Sequence, residues 1–120
     1  MKVLLDENLD HALRTLLGRH EAVTAAYMGW AGLSNGELLR VAEESGIEVL
    51  LTGDKTLSHE QNLVGRRIAV VALSAVELPI IAHNLPEIIG AIDNAAPARQ
   101  AKNVRCLRQR PALRIASSSA

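Results

Sequence analysis

The fold turns on the stretch KVLLDENLDHALRTLLG, Lys2–Gly18. An apolar run, Val3-Leu4-Leu5, reads as a short buried strand over residues 2–5. It stops abruptly in Asp6-Glu7-Asn8, two carboxylates and an amide at the strand's end. Leu9, Ala12, Leu13, Leu16 and Leu17 then recur at helical spacing over 9–17, and Gly18 supplies the stop. Further along the chain, residues 21–26 read as a weaker strand. YMGWAGLSNG is a loop by its three glycines, and 35–45 is a helix with Leu38, Leu39 and Ala42 inward, closed by Gly46. IEVLLT, 47–52, is a strand, GDKTLSHEQNLVGRR is a loop with a short helical piece, and IAVVAL, 68–73, is a continuous apolar strand. Residues 76–95 are helical, with Ile81, Leu85, Ile88, Ile89 and Ile92 on one face and Pro86 positioned to break and restart the helix. Strands alternating with helices, the strands wholly apolar, predict an α/β domain. Its parallel sheet has about four strands, strand one interior, with helices on both faces.

At 120 residues the chain is one domain with room for a real core, and 48% of it is apolar. Tyr27 and Trp30 are the only aromatics, which argues against stacking of nucleic-acid bases on an aromatic platform. Trp30, between glycines, reads as a plug under its loop or as a side chain that docks a partner. Cys106 is the single cysteine, so no intrachain disulfide forms, and no signal peptide or membrane-spanning run is legible. A cytoplasmic location and no membrane partner are the expectation. The four histidines match no metal spacing, and His59, beside Asp54 in sequence, reads as a surface residue. No phosphate-binding glycine loop is present.

The net charge of zero hides an asymmetry. Residues 1–96 hold 7 Lys and Arg against all 13 acids, a net −6, whereas 97–120 hold 6 Lys and Arg and no acid. The chain divides into a domain, 1–96, and a basic C-terminal extension, 97–120. In RQAKNVRCLRQR, Arg99, Lys102 and Arg105 are three apart, which predicts a short helix with Val104 and Leu107 on its apolar side. Docking on an acidic surface, in cis or across a dimer, is favoured over RNA binding by this extension.

Ligands of open α/β sheets bind beyond the carboxyl ends of the strands. Asp6 follows strand one with Glu7, Asp54 follows strand three through Thr52-Gly53, and Glu37 opens the helix between strands two and three. Three carboxylates on one edge repel unless a cation sits among them. A hard divalent ion such as Mg²⁺ takes a few carboxylates and keeps several waters, and its bound water can attack a phosphodiester. Asp6, Glu37 and Asp54 are therefore the candidate catalytic and metal-binding residues, with Asn8, Asn35 and Thr56 around them. Each has a structural alternative: SNGE at 34–37 is a capping box, Asp6 or Asn8 could cap the first helix, and Asp54 sits in an ordinary turn. Lys55, Arg66 and Arg67 could meet RNA phosphates or form a solvated turn.

LLDENL, GWAGLSNGELLRVAEESGIEVLLTGDKTL and QNLVGRRIAVVAL resemble the small PIN-like proteins related to VapC-type toxins, in order, over about residues 1–95. The resemblance implies a PIN-like fold and a Mg²⁺- or Mn²⁺-dependent ribonuclease, the toxin of a toxin–antitoxin pair, with an antitoxin as protein partner and a tendency to dimerise. It lays the family's acids on Asp6, Glu37 and Asp54. Two departures stand out. Asn35 occupies a position where many relatives carry Asp, so Asn35 and Glu37 compete as ligand. Lys55 and Thr56 stand near where a fourth acid is common, which implies weaker metal affinity. The competing function is a catalytically weak or inactive PIN-like binding module working through a protein partner. A phospho-acceptor receiver domain also places acids after strands one and three, but needs a fifth strand ending in lysine. APARQAKN, 96–103, does not read as a strand.

Overall fold

The computed structural model describes residues 1–54, 56–57 and 63–108. β1 (Lys2–Leu5) pairs with β2 (Glu21–Thr24) on one side and β3 (Val49–Thr52) on the other, so it is interior, as its unbroken apolar run requires. β4 (Ala69–Leu73) follows on β3 and β5 (Lys102–Val104) on β4. The sheet is wholly parallel, in the order β2-β1-β3-β4-β5. Its register sets Leu5 beside both Thr24 and Leu51, Thr52 beside Ala72, and Leu73 beside Val104. No helix among the described residues is long and apolar enough to cross a membrane.

Five strands replace the four expected, and the fifth comes from the segment set apart as a basic extension. Lys102, Asn103 and Val104 are a strand rather than one face of a helix. Val104 and Cys106, two apart, are both buried in the core, a period of two that outweighs the three-residue spacing of the cations. Polar contacts fasten the chain beyond β5. The Cys106 amide donates to Ser74 Oγ at 2.7 Å. Asn84, 1% exposed, accepts from the Leu107 amide at 3.0 Å and donates to the Leu107 carbonyl at 2.8 Å. Residues 109–120 lie outside the described part.

The connections show which local signals prevailed. The helix expected over 9–17 is a five-residue 3-10 helix, His11–Thr15. Leu9, Leu13 and Leu17 still bury at a spacing of four, while Leu16 remains exposed. Asp10 caps it, accepting from the Ala12 amide at 2.9 Å, so neither Asp6 nor Asn8 is spent as that cap. α1 (Asn35–Glu44) starts on Ser34, whose hydroxyl accepts from the Glu37 amide at 3.4 Å. The helix expected over 76–95 divides at Asn84 into α2 (Leu78–His83) and α3 (Leu85–Asp93), each with a proline in its first turn.

Alternate side chains of the strands enter different clusters. Val3, Leu5, Val49, Leu51 and Val71 bury with Leu13, Ile81, Ile88 and Ile92. Leu4, Leu50, Val70 and Ala72 bury with Leu38, Leu39 and Ala42 of α1, and Trp30, Met28 and Leu33 pack partly against that second cluster. Trp30 thus plugs the space under its loop.

Candidate carboxylate site at the sheet edge

In the order β2-β1-β3-β4-β5 the chain leaves β1 toward β2 and returns to β3 on its other side. The connections from β1 and β3 therefore part in opposite directions and open a crevice between the carboxyl ends of these two strands. Asp6 stands at the end of β1, with its amide donating to Leu51 O of β3 at 3.0 Å. Thr52 closes β3 and is fully buried, a hydroxyl in a strand whose other residues are Val and Leu. It donates to Asp6 Oδ2 at 2.6 Å and accepts from the Asp54 amide at 3.0 Å. Asp6 is 6% exposed. Its other oxygen takes the Glu7 amide at 2.8 Å, and Asp54 Oδ1 takes the Thr56 amide at 2.8 Å. One buried hydroxyl thus ties the Asp6 carboxylate to the backbone of Asp54. Among the described residues neither carboxylate has a cationic partner.

The surroundings hold this arrangement in shape. Asn8 Oδ1 accepts from the Gly53 amide at 3.4 Å, bridging the two strand ends, and Glu7 Oε1 accepts from the Gly32 amide at 2.8 Å, drawing in the loop before α1. Gly53 is required by close approach. A Cβ there would lie 2.3 Å from Val76 Cγ1, so Val76, in the turn after β4, packs directly on the backbone between Thr52 and Asp54.

The remaining candidates fall elsewhere. Glu37 is in the first turn of α1, exposed, and paired with Arg40: Nε to Oε1 at 3.2 Å and Nη2 to Oε2 at 3.0 Å. The Arg40 guanidinium holds the Glu37 carboxyl below its usual range, and its pairs with Glu37 and Glu44 hold Arg40 above its own. Ser34 caps α1 as the capping-box reading has it, but the Glu37 side chain goes to Arg40. Asn35 is half-buried beside it. Among the described residues, no three His, Cys, Asp or Glu side chains gather where one ion could bind, so Glu37 does not complete a trio with Asp6 and Asp54. Arg66 and Arg67 precede β4, at the amino edge of the sheet, the opposite end from Asp6. Glu43 engages both: Arg66 Nη1 donates to it at 3.1 Å, and the Arg67 and Ile68 amides also donate. Burial pushes the Glu43 carboxyl up, but these three donors outweigh it and leave it below the usual range. Lys55 and His59 lie outside the described residues.

Thr52 is absent from the candidates that the sequence singles out. Its signal is nonetheless present: one hydroxyl at the end of an otherwise apolar strand must find a partner when buried. The fifth strand also changes the ground on which the receiver reading fails. That strand exists, but it opens on Lys102 at the amino edge and closes on Val104, so the lysine needed beside Asp54 is still not at its end. Comparison with family models, curated proteins and solved structures found no match.

Proposed function

We propose that this chain is a PIN-like, Mg²⁺- or Mn²⁺-dependent ribonuclease working at Asp6 and Asp54, the toxin component of a cytoplasmic toxin–antitoxin pair. One observation carries the reading: a carboxylate 6% exposed, hydrogen-bonded only by neutral donors among the described residues, at a strand-order reversal where the adjacent strand end leads into a second acid. A buried anion without a cation is costly, and Asp6 and the half-buried Asp54, carried on neighbouring strand ends that Thr52 ties together, call for a positive charge between them. Mg²⁺ suits such a pair, because it binds through one or two carboxylates and fills its other positions with water and phosphate oxygens.

The residues fit that ion. Asp6 spends one acceptor site on each oxygen and Asp54 one on Oδ1, so both keep lone pairs to offer. When bound, the metal supplies a water of lowered pKa and charge stabilisation for in-line displacement at phosphorus. Thr52 fixes the Asp6 carboxylate and the Asp54 backbone together, so the pair is oriented before substrate arrives. Asn8 and Val76 hold the Gly53 turn that carries Asp54. The core clusters support the PIN-like reading further, since strand residues of opposite parity bury with α1 on the one hand and with α2 and α3 on the other. An antitoxin partner and a homodimer belong to the same proposal.

The second reading, a binding module with weak or absent catalysis, is favoured by the Glu37–Arg40 pair, which takes the third carboxylate out of the trio. A Mn²⁺ titration followed by amide NMR tells the two apart. Paramagnetic broadening centred on Glu7, Thr52, Gly53 and Asp54, and lost in Asp54→Asn, supports the metal-dependent enzyme. Absence of localised broadening leaves the module.

A further inference from the structure

We infer that the groove between the outer edge of β2 and the 3-10 helix holds nucleotides flanking the scissile phosphate of single-stranded RNA, with Tyr27 stacking a base and Arg14 meeting a phosphate. The inference rests on the ribonuclease reading above. The groove encloses about 610 Å³ and is lined by all four residues of β2, by Ala26 and Tyr27 beyond it, and by His11 and Arg14 of the 3-10 helix. Tyr27 is the only tyrosine of the chain and is 82% exposed, the most exposed of its large apolar side chains among the described residues. A lone exposed aromatic is ordinary on a protein surface. Three further observations make this one informative.

The first is rigidity. The Tyr27 amide donates to Thr24 Oγ1 at 3.1 Å and the Met28 amide to the Thr24 carbonyl at 3.1 Å, so the turn is fixed while the ring is left in solvent. A turn fixed beforehand spares the backbone ordering that a flexible loop would need to present the ring for stacking. The second is charge. Arg14 is exposed and has no ion-pair partner among the described residues, as is true of Arg67, Arg99 and Arg105, and of these four it is the one that lines the groove with Tyr27, whereas Arg19, Arg40, Arg66 and Arg108 each face a carboxylate. His11 lies beside it, 3.8 Å from Asp10. The third is position. Thr24 pairs with Leu5, and the Ala25 amide donates to Leu5 O at 2.9 Å, so the Tyr27 end of the groove begins at the strand end that carries Asp6. Among the described residues β2 is an edge strand paired with β1, and all four of its residues line the groove. Glu21 closes the opposite, amino-terminal end, where its carboxylate repels phosphate and limits the site to the few nucleotides nearest Asp6.

The test uses the full chain and a fluorescently labelled single-stranded oligouridine, with affinity from anisotropy at several salt concentrations and KM and kcat from Mn²⁺-supported cleavage. Both side chains are exposed, so Tyr27→Ala and Arg14→Gln fold. Tyr27→Ala is expected to weaken binding about 5- to 150-fold, the span that a stacked base commands, and Tyr27→Phe to retain it. Arg14→Gln is expected to lower the salt slope by about 0.7, one phosphate contact on a single strand. In cleavage both raise KM and leave kcat alone. Wild-type cleavage that needs Asp54 but is indifferent to both substitutions overturns the groove and leaves the ribonuclease reading standing. Binding that depends on Tyr27 and Arg14 without any cleavage supports the groove and overturns the enzyme. If instead these substitutions abolish self-association or peptide binding while RNA affinity is unchanged, the groove docks protein and the inference fails.

Discussion

Replacing Thr52 by Val tests how the site is held together. The two side chains have nearly the same shape, so the fully buried position gains no cavity and loses only its hydroxyl. That hydroxyl donates to the Asp6 carboxylate at 2.6 Å and accepts from the Asp54 amide. A hydrogen bond to an ionised group is worth about 1.5–3 kcal/mol net, and its loss weighs fully where the carboxylate is sealed from water. The half-buried Asp54 amide can turn to solvent and adds less. Thr52→Val should therefore lower stability by about 2–3 kcal/mol. For 120 residues, at roughly 2.1 cal/mol/K of unfolding entropy per residue, that is a fall of about 8–12 °C in Tm. Thr52→Ser keeps the hydroxyl and forfeits a methyl, about 0.8 kcal/mol. In an Asp6→Asn background the bond is neutral and the cost of Thr52→Val drops to about 1 kcal/mol, a coupling of 1–2 kcal/mol in the double-mutant cycle. Urea denaturation monitored by circular dichroism reads all five proteins. A Thr52→Val chain within about 0.5 kcal/mol of wild type, or equal costs in both backgrounds, refutes the idea that Thr52 orients Asp6.

Three further outcomes rest on named contacts. Gly53→Ala puts a methyl into Val76 and should cost about 1–3 kcal/mol; Val76→Ala in the same chain restores most of it, and chemical denaturation of both shows whether it does. Glu43→Ala strands the Arg67 and Ile68 amides and should cost about 2–3 kcal/mol near neutral pH. Because the folded Glu43 carboxyl lies below its ordinary value of 4.5, its contribution is complete above that pH and is lost as pH falls through the folded value. The Tm gap between wild type and variant should thus stay level from pH 7 to about 5 and close below about 4.5. Glu37→Gln breaks an exposed pair and should leave Tm unchanged, and by the two-carboxylate geometry it should also spare most Mn²⁺-dependent cleavage. Cleavage abolished by Glu37→Gln would show that Glu37 leaves Arg40 to join the ion.

The parallel sheet with β1 inside was legible because Val3–Leu5, Val49–Leu51 and Ala69–Leu73 are uninterrupted apolar runs, the pattern of strands buried on both sides. The break at Asn84 was legible because Pro86 suits a first helical turn and little else. β5 was hidden: three residues, two of them polar, pair with β4, and the chain just beyond them is fastened to Asn84 and Ser74, partners 20 or more positions away in sequence. The Leu9–Leu17 pattern marked the right buried leucines while local chemistry, the Asp10 cap, drew the backbone into a short 3-10 helix. At the site, strand position alone put Asp6 and Asp54 on one edge. Glu37 was placed by spacing, but spacing carries no information on whether its carboxylate turns to the edge or to Arg40 one turn on. That competition is between side chains, and the nearer cation wins.

Whether Asp6 and Asp54 form a metal-dependent ribonuclease site is decided by the cleavage of a labelled single-stranded RNA. With Mn²⁺ the wild-type chain should cut slowly, chelation with EDTA should stop it, and Asp6→Asn and Asp54→Asn, of matched size, should each fall by more than the roughly 100-fold that loss of an outer partner brings. Equal cleavage by all three proteins, or cleavage indifferent to EDTA, would show that the two carboxylates are not the site of reaction.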